Sequence, residues 1–354
     1  MTFSTRTKGR ASSSNPPNRF EQHHLEPLEI DIRYEEVPPV PTTFYNDTSR
    51  TILAKNDSPD VPFTYSINPY RGCEHGCIYC YARPSHEYLG FSAGLDFETK
   101  IMVKMDAPQL LGEALQKKSW QPQVVAFSGN TDCYQPVERK LQLTRKCLEV
   151  FLNYRNPVGM ITKNALALRD IDILQEMSRL NLVHVMLSIT TLDSDLARIM
   201  EPRTSSPNNR LKTVKALAEK GITVGVNVAP IIPGLTDEEI PAILKAAVEH
   251  GARSAYYMLL RLPGAVEPLF IDWVQRNLPD RAAKIINRIK DTRGGRMSDS
   301  RFGSRMKGEG EIANAVETLF KLNARKLKLN RRWEDLSVEH FRYPTPQQPS
   351  LFGP

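Results

Sequence analysis

The chain has 354 residues, 40% of them hydrophobic and 25% charged, which suits one large core or two ordinary ones and excludes a chain disordered throughout. No apolar run approaches the roughly 18 residues of a membrane-spanning helix, and the polar, basic start has no apolar segment like that of a secretory signal. Three of the five cysteines fall within eight residues, which is unlike a secreted disulfide framework and indicates a metal site in a reducing cytoplasm, with no membrane partner.

Residues 1–60 are the first segment in chain order and predict little regular structure. They are rich in Pro, Asn, Ser and charged residues, a composition typical of a disordered tail followed by an irregular N-terminal arm. We therefore expect the folded domain to begin near residue 61.

From residue 63 onward, short apolar runs alternate with amphipathic stretches. The predicted buried strands are residues 63–67, 124–127, 158–162, 183–188, 223–228 and 254–260. The predicted helices are residues 108–116, 137–151, 168–180, 211–219, 237–250 and 266–276. Six strand–helix units are two short of a full eightfold barrel, so residues 61–291 predict an α/β fold, either an open three-quarter barrel or a doubly wound sheet.

The pattern changes after residue 291. We expect residues 292–340 to form a basic, mostly helical extension, with a Gly/Arg/Ser loop and then a helix over residues 311–327, and residues 341–354 to form a flexible tail. Between Arg281 and Arg332, Lys and Arg outnumber Asp and Glu by ten, whereas the whole chain carries a net charge of +7. Such a block indicates a nucleic acid or another polyanionic partner, unless it is only a solvated face. The candidate phosphate contacts are Arg293, Arg296, Arg301, Arg305 and Lys307.

The most specific motif is a group of three cysteines directly after the first predicted strand. Cys73, Cys77 and Cys80 have the spacing C-x3-C-x2-C, and Gly72 and Gly76 allow the loop between them to turn tightly. Three thiolates at the carboxyl end of a strand indicate metal ligands, because α/β folds place their chemistry at that edge. An ordinary ferredoxin-type cluster takes four cysteines, so three would leave one iron open to a substrate or cofactor.

A structural zinc ion is the alternative occupant of this loop. Zinc in structural sites takes four ligands, and His75 or His86 could complete the set. The chain would then be a non-catalytic, zinc-stapled nucleic-acid-binding protein.

The cysteine spacing, with an aromatic residue before the last cysteine, resembles the radical S-adenosylmethionine (SAM) superfamily. The resemblance covers roughly residues 63–262 and implies a partial, three-quarter (β/α)6 barrel. It also implies that Cys73, Cys77 and Cys80 hold a 4Fe-4S cluster whose open iron binds SAM. In such enzymes SAM is cleaved reductively to a 5′-deoxyadenosyl radical, and the electron comes from a donor such as flavodoxin or ferredoxin.

The resemblance further implies which residues contact SAM. Ser128 to Asp132 follow the second strand, where the family places its contact to the SAM amino group, and Lys163 and Ser188 stand at strand ends as they do in the spore photoproduct lyase-like branch. The full set of expected SAM contacts is Tyr79, Ser128, Gly129, Asn130, Thr131, Asp132, Lys163, Ser188 and Asn227.

Residues 68–73, 131–138 and 201–203 more specifically resemble a bacterial lyase-like group of uncertain function within this superfamily. Photoproduct lyases use a cysteine near the end of the second strand to return a hydrogen atom to the product, and Cys133 is the cysteine nearest to that place. Together with the basic block, the resemblance implies radical chemistry on a nucleic acid, such as repair of a damaged base. Radical modification of a protein or a small molecule is the alternative.

The last residues of the chain carry one more short motif. Gln348, followed three residues later by Leu351 and Phe352, resembles the peptide with which bacterial DNA repair and replication proteins dock on the sliding clamp. We expect Leu351 and Phe352 to fill an apolar pocket and Gln348 to form a hydrogen bond at its rim.

Overall fold

A computed structural model describes residues 9–20, 40–331 and 333–344. The strands of these residues are β1 (Thr43–Asn46), β2 (Leu53–Lys55), β3 (Tyr65–Ile67), β4 (Tyr70–Arg71), β5 (Lys100–Val103), β6 (Val125–Phe127), β7 (Val158–Thr162), β8 (Val183–Ser188), β9 (Val224–Ile231) and β10 (Ala255–Leu259). The α-helices are α1 (Leu95–Thr99), α2 (Ala107–Gln116), α3 (Glu138–Leu141), α4 (Leu143–Tyr154), α5 (Ile171–Arg179), α6 (Ser194–Met200), α7 (Pro207–Glu219), α8 (Ile240–Glu249), α9 (Val266–Asn277), α10 (Pro279–Asp291), α11 (Ser304–Lys307) and α12 (Gly310–Lys326). Short 3-10 helices span Arg83–Leu89, Ala165–Asp170 and Asp237–Glu239.

The central sheet has seven strands in the order β10-β9-β8-β7-β6-β3-β2. The six strands from β3 through β10 in this sheet are parallel, and β2 pairs antiparallel with β3 at the edge. The parallel strands follow one another in chain order without the reversal that defines a doubly wound sheet. The edge strands β2 and β10 do not pair with each other, so the prediction of an open, three-quarter (β/α)6 barrel is confirmed. No helix of the described residues is long and apolar enough to cross a bilayer.

The two faces of the sheet have different neighbours. On β8, Val185 and Leu187 belong to the hydrophobic core beneath the helices, whereas His184 and Ser188 alternate with them and face the barrel interior. The same alternation along the neighbouring strands brings the residues at their carboxyl ends into a common interior.

Several element boundaries differ from those predicted. β7 and β8 have the predicted bounds, but the helix expected over residues 137–151 is divided into α3 and α4 at Gln142, where φ is 53°. The composition pattern also missed the small sheet β1-β5-β4 and the helix α10, which buries Ala282, Ile285 and Ile289.

The segment after α12 crosses the lower end of the barrel, where the strands begin. The Ser337 N–H donates to the Asn181 carbonyl at 2.9 Å, and the Arg342 N–H donates to the Tyr154 carbonyl at 2.9 Å. Residues 341–343, which were predicted to belong to a flexible tail, are therefore bound to the barrel. Gln348, Leu351 and Phe352 lie outside the described residues.

Trp333 in this segment forms the floor of the barrel interior. Its ring centroid lies 4.3 Å from that of His184 and 6.3 Å from that of Tyr256. Gly225 provides the space, because a Cβ there would come within 2.6 Å of the indole ring. The barrel is thus closed below and open above.

Residues 9–20 also differ from the prediction of a disordered tail, because they lie against the barrel. Ser12 is only 1% exposed, and the N–H groups of Ala11 and Ser12 donate to the Glu98 carboxylate at 3.3 and 3.0 Å. The Arg10 guanidinium donates to the Glu98 carbonyl at 2.7 Å. Polar partners far apart in the sequence hold this segment, so its Ser/Asn/Pro composition gave no sign of its order.

Glu98 also forms a fully buried ion pair with Arg83, at 2.5 Å. The same guanidinium donates to the carbonyls of Gly76 and Cys77, at 3.2 and 3.0 Å, inside the cysteine loop. Gly76 has φ +65°, and a Cβ at this position would come within 2.7 Å of Glu98 Oε2, so both the backbone and the ion pair require glycine. The pair therefore joins the N-terminal segment to the cysteine loop.

Glu98→Gln tests this connection. The substitution leaves the Arg83 charge buried without its counterion, which should lower the free energy of unfolding by about 3–5 kcal/mol. Urea unfolding followed by far-UV circular dichroism measures the change, with Glu113→Gln on the exposed face of α2 as the matched control. Equal unfolding midpoints for the two variants would show that the pair does not contribute to stability.

Candidate active site

The carboxyl ends of the parallel strands open into a cavity of about 390 Å³. Ser128 after β6, Lys163 after β7, Ser188 at the end of β8 and Asn227 on β9 all line it. Parallel strands end at the same edge of a sheet, so residues far apart in the sequence meet here, as predicted.

The three cysteines of the motif line the same cavity. All are free thiols; Cys73 and Cys77 are buried and Cys80 is half-buried. Burial is the main cause that raises the pKa of Cys77 to about 12, and it likewise raises the pKa of Cys73 and of Cys80. Positive charge from a bound metal would therefore be needed to hold them as thiolates.

The two histidines considered as the fourth ligand of a zinc ion have other surroundings. Both ring nitrogens of His75 have partners, the Asn164 amide at 3.1 Å and the Asp132 carboxylate at 3.4 Å. His86 does not line the cavity, and its ring lies against those of Phe91 and Phe97. Three cysteines without a fourth protein ligand suit a cluster with one open iron.

Asp132 joins three parts of the cavity wall. Its carboxylate accepts hydrogen bonds from the Thr162 hydroxyl at 2.7 Å and the Lys163 N–H at 2.8 Å, and it lies 3.4 Å from His75 Nδ1 in the cysteine loop. Burial acts to raise the pKa of Asp132, but His75 and these hydrogen bonds outweigh it and lower the pKa to about 2. A charged Asp132 thus fixes the cysteine loop after β4 and the loops after β6 and β7 relative to one another.

Tyr79, between two of the cysteines, is fixed by a buried network. Its hydroxyl donates to the Glu201 carboxylate, which also accepts from Thr190 Oγ1 at 2.6 Å and forms an ion pair with the buried Arg210. Burial acts to raise the pKa of Glu201, but the charges of Arg210 and Lys163 and these hydrogen bonds lower it to about 2. The side chain of Tyr79 is thereby held by the protein.

Gly129 and Asn130 line the cavity, but two other predicted site residues do not. Thr131 is buried, and its hydroxyl donates to the Tyr70 carbonyl at 2.6 Å, so it supports the loop from behind. Cys133 is fully buried in the hydrophobic core. Ser128 has φ 72°, and its hydroxyl oxygen accepts the Cys133 N–H at 2.9 Å. Cys133 thus lies behind the cavity wall, a position that does not favour the predicted role of hydrogen donor.

Arg261, which the sequence patterns did not single out, also lines the cavity. Its guanidinium lies 5.7 Å from the Tyr81 ring centroid and 3.4 Å from Met306 Sδ, and it forms no ion pair within the described part of the chain. Burial lowers the pKa of Arg261, and Arg305 lowers it further. The one sequence signal that could have identified Arg261 is its position just after the sixth predicted strand, which is β10 in the structure.

Arg293 is not a phosphate contact. Its side chain is only 3% exposed, and its guanidinium donates to the carbonyls of Leu260 at 2.6 Å and Ser304 at 2.9 Å. It therefore holds the Gly/Arg/Ser loop against the barrel.

The other four basic residues of the predicted nucleic-acid contact remain accessible in different degrees. Arg301 is exposed but paired with two acidic residues, and Arg305 pairs with Asp60 while lining the cavity. Arg296 and Lys307 are exposed and form no ion pair with a described residue.

Comparison with known proteins agrees with this geometry. The family model described as "Radical SAM superfamily" matches residues 67–247. An uncharacterised protein of Mycobacterium tuberculosis is 34% identical over 241 residues, which cover 67% of this chain and 71% of that protein.

Among solved structures, spore photoproduct lyase complexed with dinucleoside spore photoproduct is similar, with a TM-score of 0.57 and 16% identity over 80% of this chain and 79% of that one. A double mutant of that lyase with bound AdoMet and the same ligand has a TM-score of 0.58 and 15% identity, over 82% and 85% of the two chains. These identities show a common fold alone. The family match covers half of the chain and includes the cysteine loop and four of the six parallel strands, β6 to β9: the chain belongs to the radical SAM superfamily.

Proposed function

We propose that this protein is a radical SAM enzyme that acts on a nucleic acid, and that Cys73, Cys77 and Cys80 hold its 4Fe-4S cluster. When bound, the cluster supplies the electron that cleaves SAM to a 5′-deoxyadenosyl radical, which abstracts a hydrogen atom from the substrate. The observation that carries this proposal is the position of all three thiols in one cavity together with eight of the nine predicted SAM-contacting residues. The AdoMet bound to the structurally similar lyase supports the same assignment.

The other polar residues of the cavity suit the charges of SAM. Lys163 brings a cation that complements the SAM carboxylate; its ammonium lies 5.9 Å from the Tyr79 ring centroid. Ser188 and Asn227, on the next two strands, offer uncharged hydrogen-bonding groups for the ribose and adenine. Because the Tyr79 hydroxyl is already bound to Glu201, we expect the backbone of Tyr79, and not its hydroxyl, to contact adenine.

The mouth of the cavity supports a nucleic-acid substrate. Phe63 and the exposed Tyr81 provide aromatic surfaces on which an extruded base can stack, and Arg261 and Arg305 provide cations for the adjacent phosphates. The similar lyase was solved with a dinucleoside photoproduct, and we extend that substrate class to this chain.

Cys77→Ala should remove most of the bound iron and abolish 5′-deoxyadenosine formation, because thiolate is the only soft ligand type in the loop and two thiolates alone would not hold the cluster. Iron analysis and chromatography of the SAM products, after anaerobic purification, measure both effects. Cys147→Ala is the matched control, because Cys147 is buried in the hydrophobic core on α4 and should leave both unchanged. A full complement of iron in the Cys77 variant would contradict the assignment.

Binding of single-stranded DNA or RNA should weaken steeply with salt. Arg296→Gln combined with Lys307→Gln should reduce the slope of log K against log salt by about 1.4, since each phosphate contact to a single strand contributes about 0.7. Fluorescence anisotropy across a salt series measures this, with Lys215→Gln and Lys245→Gln on the outer helices as the control. Binding that does not depend on salt would favour a protein or small-molecule substrate instead.

We also propose docking on a sliding clamp through Gln348, Leu351 and Phe352, from the sequence alone. A peptide of residues 343–354 should bind purified clamp, because the Leu–Phe pair suits an apolar pocket. Fluorescence titration against the same peptide with Leu351→Ala and Phe352→Ala tests this. Equal affinity of the two peptides would end the proposal.

A further inference from the structure

A second recess, of about 440 Å³, lies beside the cysteine loop. Its wall includes two arginines and several hydroxyl and amide groups, and it contains no acidic residue: Arg139, Asn164, Arg203, Ser205, Ser206 and Asn209. The catalytic cavity described above does not use any of these residues. The recess is therefore a separate, positively charged feature of the same end of the barrel.

A second exposed cation follows the recess residue Arg139 on α3. Arg139 and the adjacent Lys140 are exposed and have no ion-pair partner in residues 9–20, 40–331 and 333–344. Arg203 is 34% exposed and pairs with the buried Glu74 at 3.3 Å, so its side chain still reaches solvent. The 13-residue helix α7 begins at Pro207 on the same wall and adds the positive end of its dipole. A partner that fits this surface is acidic.

His75 lies between the recess and the cavity. His75 stands between Cys73 and Cys77 in the sequence and lines the cavity, and its Nε2 lies 3.1 Å from the Asn164 amide, which lines the recess. The His75 carbonyl accepts the Arg203 N–H at 3.3 Å. Two contacts of His75, one from its ring and one from its carbonyl, thus connect the recess to the cysteine loop.

We propose that this recess is the docking site of an acidic flavodoxin, which delivers electrons to the group held by Cys73, Cys77 and Cys80. The inference rests on the proposed iron–sulfur cluster and names where its reductant binds. In each transfer the flavin loses one electron and the cluster gains one, and no bond to the chain forms or breaks. A flavodoxin suits the recess because its flavin lies at the carboxyl edge of an open sheet, near the surface, where an anionic rim can face Arg139 and Lys140.

The test compares two electron sources on the reconstituted enzyme. Arg139→Glu combined with Lys140→Glu should raise the flavodoxin concentration needed for half-maximal 5′-deoxyadenosine formation by about tenfold at low salt, because rim charges govern encounter. The rate with dithionite should stay unchanged, since this small reductant does not dock. Titration of oxidised flavodoxin, followed by its flavin fluorescence, should show the same loss of affinity without any turnover.

Lys117→Glu combined with Lys118→Glu is the matched control, because this neighbouring pair of exposed cations follows α2 at the opposite end of the barrel. An equal loss of flavodoxin binding in both variants, or no loss in either, would overturn the docking site. Stimulation by a ferredoxin but not by a flavodoxin would overturn the choice of partner. Absence of 5′-deoxyadenosine with dithionite in the unaltered enzyme would instead contradict the proposed function.

Discussion

The buried pair of Arg83 and Glu98 is the interaction on which the candidate site depends. An isolated charge in a protein interior is costly, and an ion pair there compensates only when its remaining hydrogen-bonding capacity is also used. Arg83 uses it on loop carbonyls, at Gly76 and Cys77 on one side and Ala93 and Gly94 on the other. An apolar pair of equal volume could be as stable, but it would not fix those carbonyls. The pair therefore fixes the backbone of the cysteine loop, and this keeps the three sulfurs on the wall of the cavity.

Chain order and strand ends were predictable because they depend on local pattern. β7 and β8 are short, mostly apolar runs, and their polar ends at Lys163 and Ser188 mark where the cavity must be. The cysteine spacing is likewise a local signal. These features can be predicted without knowing any contact between residues that are distant in the sequence.

The remaining features depend on contacts or backbone turns that the sequence does not display. Cys133 lies in the hydrophobic core after the left-handed residue Ser128, and nothing in the composition near it shows either feature. Arg293 and Arg296 are alike in sequence, yet one is sealed between carbonyls and the other is exposed. In α10 the charged residues between Ala282 and Ile289 obscured an amphipathic helix that the apolar spacing alone would have revealed.

The C-terminal segment crosses the end of the barrel opposite the cavity, so the two ends of the barrel differ in what they can bind. Arg342 is bound to backbone groups at the end of α4, on the side away from the cavity. Phe352 stands eight residues after Pro344, so it can reach at most about 28 Å from there. A domain of this size is roughly 50 Å across. A partner held by Gln348, Leu351 and Phe352 would thus be attached at the end of the barrel away from the mouth of the cavity.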